Sequence, residues 1–293
     1  MKKFRFIMSF IFSLIFMLLL VVLEVSLFTR NVLLQDKFYI NRYESSGVYS
    51  YAEEAINKNL RNIGRTVNLP AEVFEGVVSK EWIKEQVDNT TAGTIEYMKY
   101  KRDKLPVIEA SKQVETFNKN LDSHINKLNL IMDKNVLKEI SSIKKEVETS
   151  IKSQAGFIDF TSASKAAAFQ KARKILNYVY NARDWVLILI AVSLVLIFLI
   201  NIKSFFDFIR WPGYSLIAAG LILAIPAGVG IFSKFAYSAA ISETVIKNYI
   251  ASAIEASLKY FMYNGLVIFA AGLFITLISV FMENKRNYRQ LSN

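Results

Sequence analysis

Residues 6–28 read FIMSFIFSLIFMLLLVVLEVSLF, and this run decides the fold. A bilayer core of about 30 Å is crossed by roughly 17–25 apolar residues in a helix. Unpaired backbone is too costly in lipid for an isolated span to be anything but helical. Three more runs meet the same length: Trp185–Ile202, Pro212–Phe232 and Leu266–Met282. Their spacing is uneven. One span stands at the N-terminal end, a long polar stretch follows, and three spans lie close together.

Lys2, Lys3 and Arg5 make a basic start to the first run. The apolar segment is nonetheless longer than the roughly 7–15 residues of a signal-peptide core, and no small-x-small cleavage site follows before Phe28 and Arg30. An uncleaved anchor is expected. The predicted organisation is a cytoplasmic N-terminus with transmembrane helix 1 over 1–29, a helical domain over 30–184, and spans at 185–202 and 212–232. An amphipathic helix over 233–263 follows, then the fourth span with a cytoplasmic C-terminus over 264–293.

Charge sets the expected orientation. The short segments carrying Lys2, Lys3 and Arg5, then Lys203 and Arg210, then Lys285, Arg286 and Arg289 are dense in positive charge. The opposite short segment has Lys234, Lys247 and Lys259 offset by Glu243 and Glu255. Positive residues mark the cytoplasmic side, and long loops do not vote. Both termini are therefore expected in the cytoplasm and 30–184 outside, in a multi-pass plasma-membrane protein.

Composition agrees: 53% of residues are hydrophobic, 13% aromatic, and mean hydropathy is +0.29. The absence of cysteine excludes disulfides, thiolate metal sites and cysteine nucleophiles together. Of the net charge of +11, the outer stretch holds 25 basic against 20 acidic residues, or +5, leaving +6 elsewhere. No basic cluster interleaved with aromatics appears, so nucleic acid is not an expected partner. The bilayer is the one partner the composition demands.

The polar stretch reads as helix throughout. Leu33, Leu34, Phe38, Ile40, Tyr43, Val48, Tyr51, Ala55, Ile56 and Leu60 recur at spacings of three and four, which describes one buried face. Gly64 is the expected stop, and Pro70 suits a first helical position. Val73, Phe74, Val77, Val78, Trp82, Ile83, Val87, Ile95 and Met98 continue the pattern, with Ser79 as a cap. Lys104-Leu105-Pro106 marks a break. A stretch from Ala110 to Ile151 follows, with a turn near Asp133–Asn135. A short apolar loop through Phe157, Ile158 and Phe160, with Thr161 and Ser162 as caps, then leads into a helix that continues unbroken into the second span. The fold class expected is all-α: four transmembrane helices plus an elongated extracytoplasmic helical bundle. In 233–263 the pairs Glu243/Lys247 and Glu255/Lys259 support a helix, packed either under the bundle or along the membrane surface.

Small residues recur within the spans. Gly220, Ala224 and Gly228 repeat every four positions, and Gly265, Gly272 and Ser279 every seven, so other backbones can approach closely. Pro226 is expected to kink the third span, with Gly228 and Gly230 allowing the bend. These seams read either as packing within one chain or as self-association surfaces. Glu24 is the one acidic residue within an apolar span and a default functional candidate, although it sits toward the outer end, where a carboxylate reaches water.

Chemistry-bearing patterns are absent. His124, the single histidine, lies in a polar helix, and neither GxSxG, GxxxxGK[ST] nor HExxH occurs. Asn89-Thr90-Thr91 matches a glycosylation acceptor, which matters only in a host with that pathway. No enzyme activity, metal or cofactor is expected.

The stretch 69–100, LPAEVFEGVVSKEWIKEQVDNTTAGTIEYMKY, resembles a motif of uncharacterised Firmicutes membrane proteins, in which a leucine-proline, valine-phenylalanine and lysine-glutamate-tryptophan pattern follows an N-terminal helix. The likeness covers about the first 100 residues and implies a bacterial plasma-membrane protein without naming an activity. The one-plus-three layout is also similar to ABC permeases of the cell-division type. This chain lacks the basic amphipathic helix those place before their first span, and its outer segment shows no strand pattern. Three functions stay open: an envelope protein whose outer domain binds a protein partner or forms a homo-oligomer, a transport component, and a sensor signalling through a partner. Against transport, no span carries a polar stripe suited to a wet pore. Against sensing, no cytoplasmic segment exceeds about a dozen residues, so an output domain would belong to another protein.

Overall fold

A computed structural model describes residues 2–128, 134–155, 167–202, 205–238 and 240–291, and among them every regular element is helical. Four of the helices are long and apolar enough to cross a membrane, covering Lys3–Leu33, Ala167–Ile200, Phe205–Phe232 and Thr244–Asn284. The chain divides into two units. One comprises Met1–Leu33, Ile175–Ser242 and Ile250–Asn293, and the other Leu34–Lys174 with Glu243–Tyr249.

The second unit is a helical bundle. Its elements are α2 (Asp36–Ser45), α3 (Val48–Thr66), a 3-10 turn (Ala71–Phe74), α4 (Lys80–Met98), α5 (Ser111–Leu128) and α6 (Lys134–Ala155). Helix α3 packs against α4 and α6, while α5 packs against α6 and the 3-10 turn. The core holds Ile56 and Leu60 from α3, Val73 and Phe74 from the turn, Phe117 and Leu121 from α5, and Val147 and Ile151 from α6. Phe74 stacks on Phe117 with ring centroids 5.4 Å apart. Fully burying each such side chain contributes about 1.5–3 kcal/mol, so this unit is held by removing large apolar groups from water.

Several sequence expectations change in detail. The helix expected to run to Gly64 is broken twice, at Leu34–Gln35 after a π-helical turn over Thr29–Leu33 and at Ser46–Gly47. Gly47 has φ 74°, a left-handed conformation that an L side chain resists, and it stands at the N-cap of α3. Gly64 is not the stop, because α3 continues to Thr66. Its bare Cα instead admits the Phe74 ring: a methyl group there would lie 2.5 Å from Phe74 Cε2. Pro70 precedes a 3-10 turn rather than opening an α-helix.

Ser79 does cap α4, its Oγ accepting from the Trp82 N–H at 3.3 Å. The break at Lys104-Leu105-Pro106 falls within the nonhelical 99–110 connection. There the Trp82 Nε1–H donates to Glu109 O at 3.2 Å, and Glu109 N–H donates to Gln86 Oε1 at 3.0 Å. Of the turn expected near Asp133–Asn135, residues 134 and 135 lie in the first turn of α6, and Asp133 is outside the described residues, as are Phe157, Ile158, Phe160, Thr161, Ser162 and Lys203.

The first unit is built from α1 (Lys2–Phe28), the π-helical turn, most of α7 (Ala167–Ile200), α8 (Phe205–Phe232) and most of α9 (Thr244–Leu291). The helix expected over 233–263 does not start at 233. A 3-10 turn lies at Phe235–Tyr237, and α9 then runs as one helix from Thr244 through the fourth span. Helix α8 runs unbroken through both Pro212 and Pro226.

Candidate functional site

Two constructed regions stand out, one in each unit. In the first unit, α8 and α9 meet backbone to backbone. A methyl group on Gly220 would lie 2.5 Å from Phe269 N and 2.6 Å from Gly265 O. One on Gly265 would lie 2.7 Å from Ala224 N, and one on Gly272 2.6 Å from Ile217 N and 2.8 Å from Gly213 O. Ser279 Oγ donates to Phe206 O at 2.9 Å. Gly220 thus faces Gly265, Gly213 faces Gly272 and Phe206 faces Ser279, each pair seven residues along from the last in opposite directions. Small residues permit this contact, which gains dispersion energy where lipid offers no hydrophobic driving force.

Of the residues singled out in the sequence, Gly220, Ala224, Gly265, Gly272 and Ser279 meet in this seam. Gly228 does not, since a methyl there would find only Met262 Sδ at 4.0 Å. Gly213 belongs to the seam and was not singled out. Its seven-residue step from Gly220 was the available signal. Arg210 on α8 also pairs with Glu283 on α9.

Helix α1 joins through small polar residues that the sequence reading did not single out. Ser13 Oγ and Ser215 Oγ are 2.6 Å apart, and Ser215 Oγ also donates to Ser13 O at 2.7 Å. Asn201 Nδ2 donates to Ser9 Oγ at 2.8 Å, and Ser26 Oγ donates to Val179 O at 2.7 Å. The Ser9/Ser13 pair, four residues apart, was a visible small-residue spacing. Glu24 is half-buried on the same helix, and its Oε2 is enclosed with no hydrogen-bond partner among the described residues. One turn further on, Phe28 packs against Tyr260 and Phe261 at centroid distances of 5.2 and 4.8 Å.

In the bundle unit, tyrosines from α2, α3 and the first two turns of α9 gather. Tyr43 stacks on Tyr249 at 4.9 Å and meets Tyr49 edge-on at 6.0 Å. Thr91 Oγ1 donates to Tyr43 OH at 3.2 Å, and Tyr49 OH donates to Asp88 Oδ1 at 2.5 Å. Burial pushes the Tyr39 hydroxyl up to about 12, and it raises Tyr43 as well. Burial, reinforced by the bond to Asp88, carries Tyr49 well above the ordinary tyrosine range. These hydroxyls therefore stay neutral hydrogen-bonding groups at any physiological pH. At the exposed edge Lys84 pairs with Glu44 at 2.6 Å, a surface contact of little energetic weight.

Arg173 makes a second junction in this unit. Its guanidinium lies 3.6 Å from the Tyr97 ring centroid and 3.8 Å from that of Tyr100, while Nε donates to Tyr97 O at 2.8 Å. The cation is buried between two ring faces, a geometry that holds the start of α7 onto the end of α4. An open groove of about 490 Å³ runs between α3 and α6, lined by polar groups including Asn59, Lys145, Glu146 and Thr149. His124 is half-buried on α5.

Among the described residues no group of three or more His, Cys, Asp or Glu side chains is placed to hold a metal ion. Comparison with protein families, with curated proteins and with solved structures finds nothing that matches this chain.

Proposed function

We propose that this chain is a non-enzymatic integral protein of a bacterial cell membrane whose helical domain faces outward and binds a protein partner or a second copy. One observation carries the reading. Val245 and Tyr249, in the first turns of α9 ahead of its apolar run, pack against the bundle formed between the first and second spans. Two connections that fold into one body share one side of a membrane, and four crossings agree with that arrangement. The dense positive charge of the remaining short segments marks the other side as cytoplasmic. The polar groove between α3 and α6 supports a recognition role, because it is open and offers both charges and hydroxyls. A sensor is the second reading, favoured by α7 being a single helix from Ala167 to Ile200.

The lack of cysteine makes the test direct. Single-cysteine variants at Lys112 and Lys145 of the full chain are labelled in intact cells with a membrane-impermeant maleimide, and photo-crosslinkers are then placed at Lys145 and Thr149. The reading expects labelling from outside and one discrete crosslinked species. Labelling only after the cells are opened would overturn the orientation. A chain that crosslinks to nothing and stays monomeric in mild detergent would overturn the binding role.

A further inference from the structure

Where α8 ends, the first unit contains a pocket of about 450 Å³ lined by Gly230, Lys234, Tyr237, Glu255 and Leu258, among others. Its acidic wall is already satisfied. Glu255 pairs with Lys259 at 2.6 Å and accepts from Tyr237 OH at 3.2 Å. Lys234 has no ion pair among the described residues, so the pocket keeps one uncompensated positive charge. Lys234 also holds φ 53°, a left-handed conformation costly for a residue with a side chain. Glycine would turn the chain there without that cost.

The surroundings are apolar and open. Val229, Phe232 and Phe235 are 62%, 86% and 61% exposed, at or just past the end of a helix long and apolar enough to cross a bilayer. Exposed aromatics at the end of a span occupy the headgroup level of a membrane. A lysine without an ion pair among the described residues at that depth, above an apolar flank, has the chemistry of a lipid phosphate site. We propose that this pocket seats the headgroup of an anionic phospholipid, with its phosphate against Lys234 and its acyl chains along the exposed flank of Val229 and Phe232. The proposal rests on the membrane-spanning helices alone and stands whichever way the bundle faces.

The test uses the full chain reconstituted in vesicles containing equal amounts of phosphatidylglycerol and phosphatidylcholine, then released for native mass spectrometry of the retained lipid. The wild type is expected to retain phosphatidylglycerol in preference. Lys234→Gly keeps the backbone turn but removes the charge, and is expected to cut that retention about fivefold, the effect of one lysine at a membrane surface. Lys234→Arg is expected to keep the preference, and Lys247→Gln, outside the pocket, to leave it unchanged. Equal retention of both lipids by the wild type, full retention by Lys234→Gly, or an equal loss in Lys247→Gln would each overturn the proposal.

Discussion

The two units of this protein are held together by opposite means. In the bundle, Phe74, Phe117, Leu60 and Ile151 fill the interior with large side chains. In the membrane unit, α8 and α9 meet where side chains are missing, at Gly213, Gly220, Gly265 and Gly272. The difference follows from the solvent. Water rewards the burial of large apolar groups, whereas lipid is as apolar as leucine and rewards only closer packing and satisfied polar groups. A residue that stabilises one unit would therefore damage the other.

The largest effect expected from breaking this contrast is at Gly220. A leucine there would meet backbone atoms of Phe269 and Gly265, which cannot rotate away, unlike the end of a side chain. Gly220→Leu is expected to cost more than about 5 kcal/mol and to yield no folded protein in detergent, while Gly228→Ala behaves as wild type. Equal behaviour of the two variants in a thermal-unfolding assay would refute the seam. Next is Phe117→Ala in the bundle, expected to cost about 3–5 kcal/mol in chemical denaturation followed by circular dichroism. A loss below about 1 kcal/mol would show that this core does not depend on the Phe74–Phe117 stack.

The smallest effect sharpens the comparison within the membrane unit. Ser13 and Ser215 join α1 to α8 by hydrogen bonds rather than by close backbone contact. Their coupling in a double-mutant cycle to alanine is expected to be only about 0.6 kcal/mol, the usual worth of such bonds in lipid. A coupling as large as the Gly220 effect would make the serines, and not the glycines, the organising contact of this unit.

Legibility differed between the units in the same sense. The bundle's buried face was readable because amphipathic spacing records burial locally: Tyr43, Val48, Ile56, Leu60, Phe74 and Val87 all reach the core. The breaks were harder. Ser45-Ser46-Gly47 carried a turn signal that the surrounding apolar spacing masked, and Gly64 was read as a terminator when its role is to admit a ring from the next turn. In the membrane, Gly228 and Gly213 are equally small, yet only Gly213 meets another helix closely. Composition is the same at both; the partner differs.

What the amino-acid sequence determined by itself is the number of apolar runs long enough to cross a membrane and the helical character of the polar stretch, because hydropathy and periodicity are properties of neighbours along the chain. Only the tertiary structure decided that Gly220 faces Gly265, that Tyr249 stacks on Tyr43, and that Lys234 borders a pocket with Glu255. Those pairings join residues far apart in sequence. They depend on which surfaces fit once the helices have formed, and no local pattern carries that information.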